Sequence, residues 1–415
     1  MKLGAARRAR YALRRNVRGV GERWPVYAID ATGRAREWAQ VQALHGGFAV
    51  EWAGAVPEWA QLTMDREGFV DGFPFFLGDM RPQGFLGRQH SRRVADGLRL
   101  PADPRQWSDD DTLVFLQAEG DDMPGDLILG QVPMQREVAR DRGGAFAMAA
   151  EARVGRYPEL AAAVTAGGFV GSSAGGEQPK FLARRRREDD SLQAVLVKFT
   201  PPLESASGRR WADLLAAEAE ALRLLAEHGL AQGSVEVMDA GGRRFLEVAR
   251  HDRVGARGRR GVVSLEALSA TFASGSPTTW RSAVETLAQA GVVDAAGVAA
   301  VSRLHFFGGL IGNTDMHFGN LSFWREDTLP FRPLPAYDML PMIWAPTSQG
   351  EVVEREFVPP GWIHASEPVW REAADWAVEY WRRLAANSTV SPEFARRARE
   401  AGATVERWQQ ENLRA

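Results

Sequence analysis

Three polar residues in the C-terminal half of the chain have the types and the spacing that a phosphoryl transfer requires. They are Asp315, Asn320 five positions later, and Asp338 a further 18 positions on. Such a transfer needs one carboxylate that orients the acceptor hydroxyl, and an amide oxygen and a second carboxylate that hold Mg²⁺. The spacing therefore predicts that Asp315 is the catalytic base and that Asn320 and Asp338 are ligands of Mg²⁺.

The residues around this motif predict the elements that position it. The apolar stretch at residues 306–311 predicts the end of a helix, and residues 321–324 predict a buried strand after a polar loop. A strand-like stretch at residues 331–335 then leads to Asp338. A lone D-x-x-x-x-N occurs in many chains by chance, and these flanks are what favour the protein-kinase catalytic loop. No third residue is spaced to orient His317, so we expect it to pack this loop rather than act as the base.

Lysine usage supplies an independent argument. Only three of the 51 lysine and arginine residues are lysines, namely Lys2, Lys180 and Lys198. A lysine that persists in such a chain suggests a site that needs a compact ammonium instead of a planar guanidinium. Lys198 lies in the apolar, β-rich stretch 194–199, which is typical of the strand lysine that holds the α- and β-phosphates in kinases. The alternative is an ordinary lysine at a strand end that points to water.

Residues 171–180 form a glycine-rich segment. Gly171 and Gly176 match part of a Walker A loop, but residues 177–178 are Glu and Gln where that loop requires Lys and then Ser or Thr. The segment is therefore not a Walker A loop.

We interpret the segment instead as a loop whose backbone N–H groups cover phosphates. Gly175 and Gly176 are the expected contacts, and Lys180 at its end adds a positive charge. Ser172 and Ser173 lie at the tip of the loop, where small residues also serve simply to form a turn.

Five motifs occur in the order seen in HipA-type serine/threonine kinases, which are toxins of bacterial toxin–antitoxin systems. The motifs are residues 172–180, 197–199, 250–253, 313–320 and 337–338. The chain resembles this family, most closely its YjjJ-like branch. Residues 72–86 and 120–126 resemble two further family segments more loosely, so the resemblance covers roughly residues 23–381.

The resemblance implies an α+β, bilobed, protein-kinase-like fold with a small N-terminal α+β domain and a helical C-terminal lobe. It implies ATP and Mg²⁺ as cofactors, with Lys198 paired to a glutamate on a helix. Glu218 and Glu220, in the amphipathic stretch 211–229, are the candidates for that glutamate. Glu218 fits the family's spacing better.

The hinge between the lobes departs from the family pattern. It usually reads V-E-R-F-D-R, whereas residues 248–253 read V-A-R-H-D-R and lack the acidic residue. We expect Ala249 and Arg250 to contact adenine there. Five arginines cluster from the hinge onward and either hold a phosphoserine loop or a polyanionic substrate, or lie in a solvated loop. They are Arg250, Arg253, Arg257, Arg259 and Arg260.

Self-inactivation and partners also follow from the resemblance. In the family a serine of the glycine-rich loop is autophosphorylated, which ejects the loop and stops ATP binding. Ser172 aligns best with that serine, and Ser173 is adjacent. The substrate is expected to be a protein, in some members an aminoacyl-tRNA synthetase, and the restraining partner is expected to be a DNA-binding antitoxin of HipB type.

Two other classes of function stay open. One is a small-molecule phosphotransferase of the aminoglycoside- or choline-kinase type, whose Asp/Asn/Asp set is nearly the same. The glycine-rich serine loop and the N-terminal domain argue against it. The other is a catalytically degenerate kinase fold that acts as a regulatory scaffold, and the filled catalytic positions argue against that.

Composition excludes several classes of protein. The 415 residues include no cysteine, which excludes disulfides, iron–sulfur clusters and thiolate zinc sites. A net charge of −2 predicts no direct binding of nucleic acid by the surface as a whole. No histidine spacing predicts zinc, and no apolar run is long enough to cross a membrane. Since residues 1–24 are arginine-rich without an apolar core, we expect no secretory signal and a cytoplasmic location.

The pattern along the chain predicts four segments. Residues 1–24 form an arginine-rich segment, either a nucleic-acid arm or a solvated lead-in, and residues 25–135 an α+β domain. Residues 136–252 form the nucleotide-binding lobe and residues 253–415 the helical lobe. Within the α+β domain we predict a helix and four strands. The helix is at 91–98, and the strands are at 27–29, 48–50, 113–116 and 127–129.

Overall fold

The computed structural model describes residues 2–3, 10–140, 147–166, 178–361 and 368–413. The predicted phosphate-loop residues Ser172, Ser173, Gly175 and Gly176 lie outside these described residues. None of the helices among the described residues combines the length and the apolar composition needed to cross a membrane.

The N-terminal part of the chain is built on an antiparallel sheet. Its strands are β1 (Lys2–Leu3), β2 (Arg10–Tyr11), β3 (Arg23–Ile29), β4 (Ala35–Leu44), β5 (Gly47–Trp52), β6 (Phe69–Asp71) and β7 (Leu127–Leu129). In the described part of the chain, β1 and β2 form a separate two-stranded ribbon, and the other five strands form the sheet in the order β6-β5-β4-β3-β7. The strands predicted at 27–29, 48–50 and 127–129 lie within β3, β5 and β7 and are confirmed.

Five α-helices accompany this sheet among the residues that the structure describes. They are α1 (Ala60–Thr63), α2 (Phe75–Gly78), α3 (Gly84–Leu98), α4 (Asp109–Glu119) and α5 (Gln131–Ala139). The helix predicted at 91–98 is the C-terminal half of α3, but the strand predicted at 113–116 is wrong, because these residues belong to α4. Ser108 and Asp111 form a capping box, and three aspartates in the first turn favour a helix start. Residues 113–116 are all buried, so this apolar run lacks the alternation of apolar and polar positions that indicates a helix.

The lobe that the sequence predicts to bind nucleotide is a four-stranded antiparallel sheet between two helices. Its elements are α6 (Arg153–Ala166), β8 (Lys180–Arg186), β9 (Leu192–Phe199), α7 (Ala206–Glu227), β10 (Val235–Ala240) and β11 (Arg243–Ala249), with the strands in the order β10-β11-β9-β8. Phe245 packs with Tyr157 of α6, and its neighbour Leu246 packs with Leu215 of α7. Since successive residues of a strand face opposite sides, the two helices cover opposite faces of the sheet.

The remainder of the chain is mainly helical. Its elements are β12 (Arg253–Val254), β13 (Gly258–Arg259), β14 (Val262–Ser264), α8 (Leu265–Phe272), α9 (Trp280–Gln289), α10 (Ala295–Leu310), β15 (Ser322–Trp324), α11 (Pro368–Ala386) and α12 (Pro392–Leu413). The helix end and the strand predicted beside the catalytic motif are the end of α10 and β15. The strand predicted at 331–335 is wrong: it is an extended segment with one isolated bridge, Pro333 to Phe323. Its prolines lack the N–H groups that a ladder requires.

Two of the N-terminal arginines contact the N-terminal domain. Arg15 forms an ion pair with Asp110, and Arg18 forms one with Asp111. Both aspartates lie in the first turn of α4, where the helix dipole already favours negative charge. These arginines are therefore neither an extended arm nor a fully solvated lead-in.

An interdomain ion network joins the N-terminal domain to the hinge. The network consists of Asp122, Glu137, Arg250, Asp252, Arg253 and Arg259. The Arg253 guanidinium donates to the Asp252 carboxylate at 2.6 Å, to the Asp122 carboxylate at 2.9 Å and to the Gly125 carbonyl at 2.9 Å. The sequence predicted that five arginines bind a polyanion or lie in solvent. Three of them, Arg250, Arg253 and Arg259, instead form ion pairs within the protein. Only Arg257 and Arg260 are exposed.

The charges of this network persist in the buried interface. Burial alone would raise the pKa of Asp252, but the guanidinium groups of Arg250 and Arg253 outweigh it and lower that pKa well below its usual range. Burial and the neighbouring Arg250 lower the pKa of Arg253 to about 10, which leaves it charged at neutral pH. The pKa of Asp122 is likewise lowered, since Arg253 and Arg250 outweigh the effect of burial.

We predict that Arg253→Met lowers the free energy of unfolding by about 1–3 kcal/mol, because the buried Asp252 keeps only its other cation, Arg250, and the partly exposed Asp122 loses a charged hydrogen bond. Denaturant unfolding measures this, with the exposed Arg257→Met as the matched control, for which little change is expected. The carboxylates with lowered pKa stabilise the fold above about pH 4 and lose that effect as the pH falls further. The difference between Arg253→Met and wild type should therefore shrink in acid. If Arg253→Met and Arg257→Met lowered the free energy of unfolding equally, the ion network would not stabilise the fold.

Candidate active site

A cleft of about 1430 Å³ lies where the predicted nucleotide-binding lobe, the hinge, the helical lobe and the N-terminal domain meet. Six of the predicted site residues line it. They are Lys180, Lys198, Glu218, Ala249, Arg250 and Asp338. Asp315 and Asn320 do not form part of its wall, but Gly319, between them in the sequence, does. The cleft therefore brings together predicted site residues that are up to 158 positions apart in the chain.

Lys198 and Glu218 form a buried ion pair at the back of the cleft. The Lys198 Nζ lies 2.6 and 2.8 Å from the two carboxylate oxygens of Glu218. β9 delivers the lysine and α7 the glutamate, and Ser205 caps α7 by accepting the N–H of Gly208. The carboxylate of Glu220, the other candidate, instead lies 3.9 Å from the guanidinium of Arg223. Residues two apart on a helix face different sides, which explains why only one of the two glutamates meets the lysine.

Asp338 is the third member of this charge cluster. Its carboxylate accepts a hydrogen bond from the Lys198 ammonium, whose other contacts are to Glu218. Asp338 has a φ of +54°, a left-handed conformation that Asp and Asn adopt more readily than other residues with a side chain. Its backbone carbonyl accepts a hydrogen bond of 3.1 Å from the Asn313 amide. The backbone and the carboxylate of Asp338 are thus held from two directions.

The electrostatics of the cluster favour an anionic Asp338 and a cationic Lys198. Burial works to raise the pKa of Asp338, but the positive charges of Lys198 and Lys180 outweigh it and lower the pKa to about 2. Burial works to lower the pKa of Lys198, and Asp338 and Glu218 together raise it above its ordinary value. Burial raises the pKa of Glu218 in spite of the lysine. A cationic Lys198 beside an anionic Asp338 is therefore the expected state at neutral pH.

Hydrogen bonds shape the loop that carries Asp315. The Asn313 Oδ1 accepts the Asp315 N–H at 3.1 Å, and the Asn320 amide donates to the Asp315 carbonyl at 2.8 Å. Because the Asn320 nitrogen is used in the loop, its oxygen is the atom left to serve a cation. Asn313 bonds both Asp315 and Asp338, so a single side chain couples the two predicted catalytic segments.

Tyr337 ties the same loop to the strand that follows it. Its hydroxyl lies 2.7 Å from the Ser322 Oγ and donates to the Gly319 carbonyl at 3.1 Å. His317 is exposed at the other end of the loop and accepts the Gly319 N–H through Nδ1 at 3.1 Å. This local contact agrees with the expectation that His317 shapes the loop.

The positioning roles of Asn313 and Tyr337 were not anticipated from the sequence. Asn313 carried a usable signal, because an Asn side chain commonly accepts the N–H two residues further on. No sequence pattern indicated the role of Tyr337, because its partners Gly319 and Ser322 are far from it in sequence and only the fold brings them near.

The two predicted hinge contacts differ in their local bonding. The Arg250 N–H already donates to the Ala194 carbonyl at 3.0 Å, and its guanidinium donates to Asp252 at 3.0 and 2.8 Å. The backbone N–H of Arg250 would therefore have to give up its bond to Ala194 before it could donate to a nucleotide. Ala249 is the last residue of β11 and lines the cleft.

Lys180 opens β8 and pairs in register with Lys198 of β9. Both lysines line the cleft, which places two positive charges next to the Asp338 carboxylate. The cleft thus combines two ammonium groups with hard oxygen donors, a set that suits a phosphate chain and Mg²⁺.

Comparison with known proteins identifies the family. The family model of the YjjJ-like toxin middle domain matches residues 20–138, and that of the HipA-like C-terminal domain matches residues 172–409. Toxin YjjJ of Escherichia coli (strain K12) is 36% identical over 401 residues, which are 96% of this chain and 87% of that protein.

Solved structures show the same likeness at the level of the fold. A chain of the Shewanella oneidensis MR-1 HipA, HipB and operator DNA complex matches with a TM-score of 0.55 and 15% identity, over 94% of this chain and 97% of that one. The proinflammatory kinase CtkA of Helicobacter pylori matches at a TM-score of 0.40, which is too low to support an argument. The predicted α+β, bilobed, kinase-like fold is confirmed. The chain belongs to the HipA-type toxin family, in its YjjJ-like branch.

Proposed function

We propose that this protein is an ATP- and Mg²⁺-dependent kinase that phosphorylates Ser or Thr on a cytosolic protein and so acts as a toxin. The observation that supports this most is the cluster of Lys198, Glu218 and Asp338, which joins both lobes at one cleft. Family membership supports the toxin part of the proposal independently.

The residues of this cluster and of the loop that carries Asp315 each have a role in this proposal. Lys198, oriented by Glu218, holds the α- and β-phosphates, and Asp315 orients the acceptor hydroxyl and takes its proton late. Asn320 and Asp338 would hold Mg²⁺ through an amide oxygen and a carboxylate, the hard donors that this ion prefers. Bound Mg²⁺ supplies positive charge that offsets the charge developing on the transferred phosphate. Asn313 acts on this arrangement indirectly, by fixing the spacing between the base and the metal ligand.

Autophosphorylation of Ser172 or Ser173 is part of the proposal. A phosphate adds about −1.5 to −2 charge at neutral pH and would repel the phosphates of ATP. The released loop was expected to be captured by the arginines after the hinge. Three of them are engaged in the interdomain ion network, so they do not support that part of the idea.

We also propose a proteinaceous antitoxin as the partner that restrains this toxin. The HipA structure that this fold matches is a complex with HipB and operator DNA. By analogy the partner here would be a DNA-binding protein of HipB type, and the substrate a component of translation such as an aminoacyl-tRNA synthetase.

Phosphoproteomics after brief induction tests the proposal, with wild type compared with Asp315→Asn. We expect phosphoserine or phosphothreonine on one or a few proteins with wild type alone, since removal of a general base costs about 10²- to 10⁴-fold in rate. Purified wild type incubated with ATP should also carry phosphate on Ser172 or Ser173. Phosphorylation of a small molecule without any phosphoprotein would favour the rival phosphotransferase. The absence of any ATP turnover would favour a regulatory scaffold.

A further inference from the structure

Asp79 of the N-terminal domain lines the cleft, and the proposed chemistry gives it no role. It directly follows α2, is half-buried and shares the cleft wall with Ser264. Its carboxylate accepts two hydrogen bonds of 2.6 Å, one from the backbone N–H of Ser264 and one from the Ser264 hydroxyl. Burial raises the pKa of Asp79, and the two bonds oppose that rise and so favour the carboxylate. A residue of the N-terminal domain thus holds one residue of the helical lobe at two points.

Ser264 lies where a strand and a helix of the helical lobe meet. It ends β14 and caps α8, because its Oγ accepts the Ala267 N–H at 3.0 Å. The ring centroids of Phe75 in α2 and Phe272 in α8 lie 5.3 Å apart, so the two helices contact each other beside Asp79. The start of α8 is therefore fixed against the N-terminal domain.

β14 carries this contact to the predicted catalytic loop. Ser264 is in register with Ser322 of β15. The N–H of the next residue, Leu265, donates to the Leu321 carbonyl at 2.8 Å. Leu321 directly follows Asn320, which we assign to Mg²⁺. A shift of Ser264 would therefore move the backbone next to Asn320.

Tyr337 extends the same contact to the other predicted metal ligand. Its hydroxyl bonds Ser322 and Gly319, and Asp338 is the next residue in the chain. Burial raises the pKa of Tyr337, and the negative charges of Asp338 and Asp79 raise it further. The hydroxyl therefore stays protonated at neutral pH and can donate to the Gly319 carbonyl.

We infer that Asp79 is a positioning residue through which the N-terminal domain holds the two predicted metal ligands, Asn320 and Asp338, in place. The inference rests on the proposed function, because it takes these two residues to hold Mg²⁺. The lysine that we assign to the phosphates, Lys198, lies on a different element, β9. Loss of the bonds between Asp79 and Ser264 should therefore slow phosphoryl transfer and leave the affinity for nucleotide without Mg²⁺ unchanged.

The conversion of ATP to ADP in a single turnover of the full chain tests this inference, since it reports transfer to any acceptor, water included. Asp79→Leu keeps the approximate size of the side chain and removes both hydrogen bonds. Asp79→Asn loses the charge but keeps an oxygen that can accept the Ser264 N–H. Asp71→Leu, at an exposed position at the end of β6, is the matched control.

Asp79→Leu should lower the rate constant by about 10- to 100-fold, because a shift of about 1 Å in a catalytic group can cost a factor of this order. Asp79→Asn should lie between Asp79→Leu and wild type, and Asp71→Leu should react as wild type does. All three variants should bind ADP without Mg²⁺ as tightly as wild type does. A purely structural role would instead lower the amplitude of the turnover, as the folded fraction falls, and leave the rate constant unchanged. That result in Asp79→Leu would overturn the inference.

Ser264→Ala supplies a second test that does not depend on Asp79→Leu being folded, which thermal melting checks. It removes the hydroxyl bond to Asp79, so its rate constant should fall. In the double variant Asp79→Leu/Ser264→Ala the loss should be smaller than the product of the two single losses, because both act on one contact. Losses that multiply, or unchanged rate constants in Asp79→Asn and Ser264→Ala, would overturn the inference and leave the proposed function standing. If wild type itself converts no ATP, the proposed function is refuted and this inference with it.

Discussion

Asp338→Asn should lower the rate of phosphoryl transfer by about a thousandfold while the fold stays intact. Asparagine has nearly the same size and tolerates the left-handed backbone, φ +54°, of this position. The substitution removes the carboxylate charge that we assign to Mg²⁺ and leaves the Lys198–Glu218 pair in place. Single-turnover transfer from ATP measures the rate, and thermal melting checks the fold.

The Mg²⁺ dependence of nucleotide binding separates a lost metal ligand from general damage to the site. Wild type should bind ADP more tightly with Mg²⁺ than without it, and Asp338→Asn should lose most of that difference. Asp375→Asn, at an exposed position of α11, is the matched control and should behave as wild type. A transfer rate within tenfold of wild type in Asp338→Asn would remove Asp338 from the metal assignment.

Lys198→Met should lower the free energy of unfolding by about 3–5 kcal/mol and abolish transfer at the same time. Lys198 is only 5% exposed and Glu218 only 1%, so the variant leaves a carboxylate in the interior without its cation. Burial raises the pKa of Glu218, so the lone carboxylate takes up a proton as the pH falls. The loss of stability, measured by urea unfolding, should therefore be smaller in mild acid than at neutral pH.

A second substitution tests the cause of that instability. Lys198→Met/Glu218→Met replaces the buried pair with apolar side chains and should recover most of the stability without recovering any activity. Lys198→Arg keeps the charge but brings a planar group into a space that holds an ammonium between two carboxylates, so we expect it to lose most activity. If the double variant is no more stable than Lys198→Met, the buried carboxylate is not the source of the loss.

The candidate catalytic residues were easier to predict than the contacts that position them, for a physical reason. Phosphoryl transfer restricts which residue types can serve and how far apart they lie along a loop, so Asp315, Asn320 and Asp338 stand out in the sequence. Lys198 stood out because the chain otherwise uses arginine. Whether these residues share one cleft depends on contacts between β9, α7 and the segment before Asp338, which no local pattern encodes. The assigned roles of these residues stay predictions.

Two errors of the sequence analysis have the same cause, which is tertiary context. Residues 113–116 form a continuous apolar run because α4 is covered on several sides, and a run of that kind looks the same in a buried strand. Arg253 resembled a solvated or anion-binding arginine, since nothing near it indicates that Asp122, 131 positions earlier, is its partner. A local sequence pattern can predict a helix or a strand, but it cannot predict an ion pair between residues of different domains.

The interdomain ion network also bears on how such proteins can be rearranged during evolution. The boundary we proposed between the lobes falls between Asp252 and Arg253, yet both side chains bond the segment that contains Asp122 and Gly125. A recombination event that replaced the N-terminal domain alone would leave hinge charges facing an unmatched surface. Exchange between relatives would then succeed only when the hinge and the turn at residues 120–126 were inherited together.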